Sequence, residues 1–317
     1  MPVPRFFRPP ILGHILSLLG ALTAAGLIAG SPAASLLKAH DVVGLVGGGA
    51  WVAEQREGFI EAALRAARPD LKLRFRNFAW EGDTVSQQPR DLNYPDPFTQ
   101  LGSHGVTITF VQFGQNESWA GDAGVAEFRT HYLRLLENLN RVTPRLILVT
   151  PTRFEAKPPP GPNLAARNAD LARYAAVIRE IATQQQFPLV DLFALTPDPG
   201  AVWTTDGRQL SPAGHQSVAA AFVANVAPHP GQTPPASPTA AFRAAVVAKN
   251  QLWVHHVRPT NWAFLAGDRT EQPSSHDHRD RSILWFPGEI TQFGVQVQEA
   301  DRQIDSLARN LTPPSAR

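Results

Sequence analysis

Five short apolar runs, at residues 41–46, 71–78, 106–113, 146–150 and 188–192, alternate with stretches patterned as helices, and no other feature limits the possible folds so strongly. Strands that alternate with helices build parallel sheets, because each return to the same sheet edge needs a crossover. Several of the runs are apolar throughout, as strands covered on both faces are. Between them, 52–67 brings Phe59, Ile60, Ala63, Leu64 and Ala67 onto one helical face and stops before Pro69. Residues 125–140 repeat the pattern with Phe128, Tyr132, Leu135 and Leu139, and 163–186 with Leu171, Tyr174, Ile178 and Ile181. A last helix is predicted from Ser211, a favourable N-cap followed by Pro212, through Val226. The expected fold class is α/β with a five-stranded parallel sheet.

The chain begins with Arg5 and Arg8, an apolar stretch at 11–29 and the small residues Ser31-Pro32-Ala33, the layout of an export signal over 1–33. A membrane anchor that stays attached is the other reading of the same stretch. Both predict a periplasmic or secreted protein, membrane-anchored if the signal is not cleaved. The chain carries 29 basic and 27 acidic residues, and 1–33 hold two arginines and no acid, so the remainder sits at parity. Parity gives no electrostatic footprint for nucleic acid. With no cysteine, the chain has no disulfide framework, no thiolate metal site and no cysteine nucleophile. Five prolines among residues 228–238 mark a linker, placed at 227–239. Beyond it, 240–254 and 290–311 are patterned as helices around a turn-rich stretch, so 240–317 is expected to form a small helical extension or lid after a main domain at 41–226.

Three polar segments fall at the ends of strands or ahead of helices: Asn77 to Thr84, Gly114-Gln115-Asn116-Glu117, and Asp206 to His215. In an open parallel sheet, ligands bind outside the carboxyl ends of the strands. The glycine-rich turn Gly47-Gly48-Gly49, the Gly82 loop and the Asn116 loop therefore emerge on one edge, and the Asp206 segment returns to it. A side-chain amide at the end of a buried strand can donate to a developing oxyanion.

Taken in order, the three segments resemble blocks II, III and V of the SGNH/GDSL hydrolase superfamily, over about residues 41–226. The resemblance implies a flavodoxin-like three-layer sandwich and an ester-hydrolase ancestry acting on a carbohydrate or acyl ester. It also implies oxyanion donors at Ala50, Gly82 and Asn116, and an orienting acid at Asp206. Two positions depart from the family. The nucleophile position falls on Gly49, Ala50 or Trp51, none of which has a hydroxyl, and the usual histidine three residues after Asp206 is Gln209. His215, near the start of the last helix, is the candidate replacement base. Ser118 and Thr84 are the nearest hydroxyls to the motif loops and read as turn or cap groups.

Trp51, Trp80, Trp119 and Trp203 lie within or beside the motif loops, and Trp80 and Trp119 are candidate ligand contacts. Plugging the loop layer over the sheet is the competing use of all four. His255, His256, His276 and His278 match no metal-ligand spacing, so no metal and no cofactor are expected. Glu81, Asp83, Glu117 and Asp206 are edge carboxylates, of which a pair at the right separation could activate water; turn formation is their ordinary role. The segment 257–262 resembles an element that follows SGNH-like domains in some secreted bacterial proteins and is expected to carry Arg258 or Asn261 toward the cleft. Three readings follow: a protein of esterase ancestry with an impaired triad and a retained pocket for a small-molecule or saccharide ester-like ligand; an active hydrolase using Asp206, His215 or the edge carboxylates; and a scaffold whose residues 240–317 bind an envelope protein.

Overall fold

The computed structural model describes residues 34–143, 145–158, 160–196, 202–228 and 238–311. The expected export signal and most of the proline-rich linker lie outside the described residues. In chain order the elements are β1 (Val42–Gly47), α1 (Gly49–Glu57), α2 (Phe59–Ala67), β2 (Arg74–Asn77), α3 (Pro97–Ser103), β3 (Ile108–Gln112), α4 (Val125–Val142), β4 (Leu146–Val149), α5 (Asn168–Gln184), β5 (Leu189–Val190), α6 (Pro212–Val226), α7 (Ala240–Val257), α8 (Trp262–Leu265) and α9 (Trp285–Leu311). The strands pair in parallel in the order β2-β1-β3-β4-β5, the flavodoxin-like order expected above.

Alternate residues along each strand serve opposite layers. Val43, Leu45, Phe110, Ile147 and Val149 pack with Trp51, Leu64 and Phe222 of α1, α2 and α6. Val46, Val111, Leu146 and Leu148 pack with Tyr132, Tyr174 and Ile178 of α4 and α5. Ser211 caps α6 as its sequence predicts, its side chain accepting from the Gly214 N–H.

One helix was expected over 52–67, and the structure has two. Gly58 adopts φ 66°, a left-handed conformation that ends α1, and its N–H donates to the Glu54 carbonyl at 2.7 Å. A β-carbon at Gly58 would come within 3.1 Å of Val246 and Val247, so the break also admits α7. The second helix then starts under its own cap: Glu54 Oε1 accepts from the Ile60 N–H at 2.6 Å and the Glu61 N–H at 3.4 Å. The apolar pattern runs through the break because both helices face the same core. Helix α3 was not expected, although Asp96 caps it and Pro97 opens it. The helix expected from 163 starts at Asn168, and the closing helix starts at Trp285, not 290.

The C-terminal helices are built into the domain. Phe242 and Val246 of α7 and Ile304 and Ala308 of α9 bury against Ala62 and Ala66 on the outer side of α2. Beside this contact lies a buried ionic network. The Arg65 guanidinium donates to Asp301 Oδ1 at 2.8 Å, Glu61 Oε1 at 3.1 Å and Asp305 Oδ1 at 2.8 Å. Arg76 reaches Asp301 Oδ2 at 2.8 Å, Arg74 reaches Asp305 Oδ2 at 2.7 Å, and Lys249 reaches Glu61 Oε2 at 2.7 Å. Arg74 and Arg76 sit on the edge strand β2, so these pairs also tie α9 to that strand.

Burial alone would raise the Asp301 carboxyl, but Lys249, Arg76 and Arg65 outweigh it and hold the group below its ordinary range. A carboxyl whose folded value is lowered contributes stability that is complete above its unfolded value, about 3.9, and is lost as pH falls through the folded value. Removing one partner of a buried pair leaves uncompensated charge at a cost of about 3–5 kcal/mol. Asp301→Ala is therefore expected to lower the unfolding free energy by about that much at neutral pH, and Asp301→Asn to flatten the acid limb of stability. Denaturant titrations across pH 2–7, a range set around ordinary carboxylate values of about 4, measure both.

Candidate functional site

The turn from β1 into α1 organises the carboxyl edge of the sheet. A β-carbon on Gly47 would lie 2.2 Å from the Gln112 carbonyl oxygen and 2.7 Å from the Trp51 ring, so only glycine lets β1 run beside β3 and enter α1 at once. At Gly48 the β-carbon position is 3.1 Å from the Asp83 carbonyl oxygen and 3.4 Å from Asn116 Nδ2. The loops after β2 and β3 thus meet over the start of α1, as the topology predicts. Among the described residues no side chain caps that start, and the Gly49 and Ala50 N–H groups are left to face a ligand, with the positive end of the helix dipole behind them.

Glu117 fastens these loops, its Oε2 accepting from the Gly114 N–H at 2.8 Å and its Oε1 from the Val85 N–H at 2.9 Å. Burial pushes this carboxyl above its ordinary value, against those two N–H donors and its own. Asp83 forms a two-pronged pair with Arg90 at 2.7 and 2.8 Å. Glu81 pairs with Arg258 at 3.0 Å. Asp206 Oδ1 accepts from the Arg208 and Gln209 N–H groups of its own loop, at 2.8 and 2.6 Å. Each of the four edge carboxylates is therefore engaged by a cation or by backbone donors, the turn-forming role set against water activation above.

A hollow of about 250 Å³ opens behind the turn, walled by Trp51, Ile60, Leu192, Leu210 and Val218. Ala50, Gln209 and His215 line it together, joined by Gln112, Gln115, Arg208 and Glu54. Thr152 carries the sole hydroxyl among the lining residues. Asn116 lines an adjoining crevice that shares Gly49, Ala50, Gln112 and Gln115 with the hollow. Gly82 is exposed on the loop above, with nothing within 4 Å of its β-carbon position. Ser118 Oγ donates to the Gln115 carbonyl at 2.8 Å and Thr84 Oγ1 to the Gln87 carbonyl at 3.3 Å, so both are turn hydroxyls.

The tryptophans divide differently from the expectation. Trp80 has two guanidiniums against its ring, Arg258 at 4.0 Å and Arg90 at 4.5 Å, and lines a separate narrow crevice. Trp119 is 48% exposed with Arg167 over its ring at 4.7 Å, outside the hollow. Of the four, Trp51 alone lines the hollow, and its Nε1 is buried without a partner. Arg258 does fold onto the motif loops, reaching Trp80 and Glu81, while Trp262 Nε1 donates to the Leu92 carbonyl at 2.8 Å. His255 and His256 pack within the C-terminal helices, His255 stacked on Phe293 and His256 bonded to the Ile290 carbonyl. Among the described residues no cluster of three or more potential metal ligands occurs.

Two residues that carry much of this hollow were not singled out from the sequence. Arg208 Nε donates to Gln115 Oε1 at 3.0 Å and its Nη2 donates to Asn116 Oδ1, tying the last motif loop to the third. The guanidinium makes no ion pair among the described residues. Glu54 is buried, with Oε2 free of any hydrogen bond and 3.6 Å from His215 Nδ1. Burial raises its carboxyl, against His215 and the two N–H donors of α2. The signal for Glu54 was its spacing: four residues after Ala50, it lies one helical turn along the same face.

An open parallel sheet in the order β2-β1-β3-β4-β5, with its motif loops gathered at the carboxyl edge, defines a flavodoxin-like α/β scaffold. The chain belongs to the GDSL-like lipase/acylhydrolase family, whose model matches residues 45–217. Among solved structures, it is similar to a catalytic mutant of an acetylxylan esterase from Geobacillus stearothermophilus, with 17% identity over 61% of this chain and 97% of that one, TM-score 0.45. An alpha/beta hydrolase enzyme from the metagenome of Lake Arreo, Spain, is 20% identical over 61% of this chain and 98% of its own, TM-score 0.46. A gut microbial diltiazem-metabolizing enzyme is 18% identical over 60% of this chain and 47% of its own, TM-score 0.47. No curated protein sequence matches the chain.

Substituting Gly47 tests the turn on which the edge depends. Gly47→Ala forces the Gln112 carbonyl or the Trp51 ring to move, and overpacking of this kind costs about 1–3 kcal/mol. The expected result is a loss of that size in chemical denaturation, with quenching of Trp51 fluorescence altered in the folded state.

Proposed function

We propose that this protein is an exported acyl-recognition member of its family, binding an ester or carboxylate in the hollow without an acyl-serine intermediate. The observation that carries the reading is Arg208. Its guanidinium is held by the amide oxygens of Gln115 and Asn116, has no acidic partner among the described residues, and lines the same hollow as the uncapped start of α1. A fixed cation beside free backbone donors suits a carboxylate or the carbonyl oxygen of an ester. Ala50 and Gln209 stand where the family resemblance puts the serine and the histidine, and neither has the chemistry of its counterpart. Loss of either group alone costs about 10⁶ in kcat in the subtilisin example, so oxyanion donors alone do not sustain the serine route. Export is supported by the arginines and apolar run at the start of the sequence. Apolar walls around a few convergent polar groups favour a small acyl or acetylated saccharide over a polymer surface.

Titration of the purified protein with acetate, followed by calorimetry, tests recognition. Arg208→Ala is expected to weaken binding at least about tenfold, equivalent to roughly 1.4 kcal/mol, and added salt to weaken the native protein's binding. Acetate affinity that is unchanged in Arg208→Ala, or no binding at all, refutes the reading. A fluorophosphonate probe is expected to leave the intact mass unchanged; a stoichiometric adduct on a hydroxyl of the hollow refutes the absence of a covalent route.

A further inference from the structure

The geometry points to His215 as a general base that activates water in the hollow, with Glu54 as its positioning residue, an inference that rests on acyl recognition at this site. The two side chains come from α6 and α1 and are both buried. His215 Nδ1 is 3.6 Å from Glu54 Oε2, just beyond a direct hydrogen bond. Such contacts are often long in unliganded enzymes and tighten around substrate. Glu54 cannot swing away, because its other oxygen is fixed by the Ile60 and Glu61 N–H groups. Nor is the imidazole free to turn, since it stacks on Phe59 with centroids 5.5 Å apart and planes 12° apart. A base oriented by a carboxylate is half of the serine triad's logic, built here from residues other than those at the family's triad positions. Both groups line the hollow that also holds Ala50 and Arg208, so the pair and the oxyanion donors share one chamber.

The step needs only water as co-reactant. Water gives a proton to the imidazole as its oxygen bonds to the acyl carbon, and the carbonyl π pair moves onto oxygen, toward Arg208 and the start of α1. Collapse re-forms the carbonyl and breaks the ester C–O bond. The leaving alkoxide takes the proton from the imidazolium. One ester and one water yield one acid and one alcohol, and His215 is regenerated. The other charged groups lining the chamber are Arg56, Glu81 and Arg208.

Saturable turnover of p-nitrophenyl acetate by the full chain is the measurement, read beside acetate affinity. General base catalysis contributes about 10²–10⁴-fold, so His215→Ala is expected to lower kcat by that factor and to regain part of it with added imidazole. Glu54→Gln keeps an oxygen for the Ile60 N–H while removing the ionisable carboxyl. It is expected to lower kcat with KM little changed and to move the ascending limb of the pH–rate profile to lower pH. Acetate binding without turnover in the native protein overturns this inference and leaves acyl recognition standing, whereas loss of binding itself falls on acyl recognition. Native kcat in His215→Ala, or an acyl adduct on Thr152 during turnover, also overturns it.

Discussion

A missing side chain governs the whole edge of this sheet. Because Gly47 presents only hydrogen to the Gln112 carbonyl, β1 passes into α1 with only Gly48 between them. The first turn of α1 then stands over the end of β3, where Ala50, Gln112 and Gln115 line one hollow. The start of α1 takes its position from that contact. The neighbouring strands need no special geometry to join it, since parallel pairing in the order β2-β1-β3 already delivers their loops to the same side.

Charge around this edge is only partly matched. Asp83 pairs with Arg90, Glu81 with Arg258, and Asp206 with backbone donors of its own loop. Elsewhere in the hollow the match is incomplete. Arg208 is held by amides instead of a carboxylate, and Glu54 keeps one oxygen without a hydrogen bond. Buried polar groups without full partners cost stability in the empty protein, and ligand-binding sites are where proteins tolerate that cost. The same logic separates the tryptophans. Trp80, clamped by two guanidiniums, is part of the loop scaffold, whereas Trp51 faces the chamber with its N–H unspent.

The sheet was legible because its strands are buried on both faces and read as apolar runs, and its order followed from the family the motifs resemble. The break at Gly58 was not legible: the amphipathic pattern continues from α1 into α2, and what ends the helix is a left-handed glycine whose N–H donates to the Glu54 backbone carbonyl, while the Glu54 carboxyl caps the start of α2. The motif positions located the edge and named Ala50, Asn116, Gln209 and His215. They missed Arg208 and Glu54, whose importance lies in contacts across 93 and 161 positions of sequence, between residues that no local pattern connects. The C-terminal helices were legible as helices but not as core, because their inward faces carry Lys249, Asn250 and Asp301, residues that look solvated until three arginines and a glutamate meet them.

Helix α2 also acts as a mechanical element. At one end its first N–H groups rest on Glu54; along its outer side Glu61 and Arg65 are bolted to Lys249, Asp301 and Asp305. A nine-residue rod thereby spans from the wall of the chamber to the two helices that end the chain. A chain cut at the proline-rich segment would strip the rod of its outer bracing and leave Arg65, Arg74 and Arg76 facing one another without Asp301 and Asp305. The tail is therefore part of what holds the carboxyl of Glu54 still.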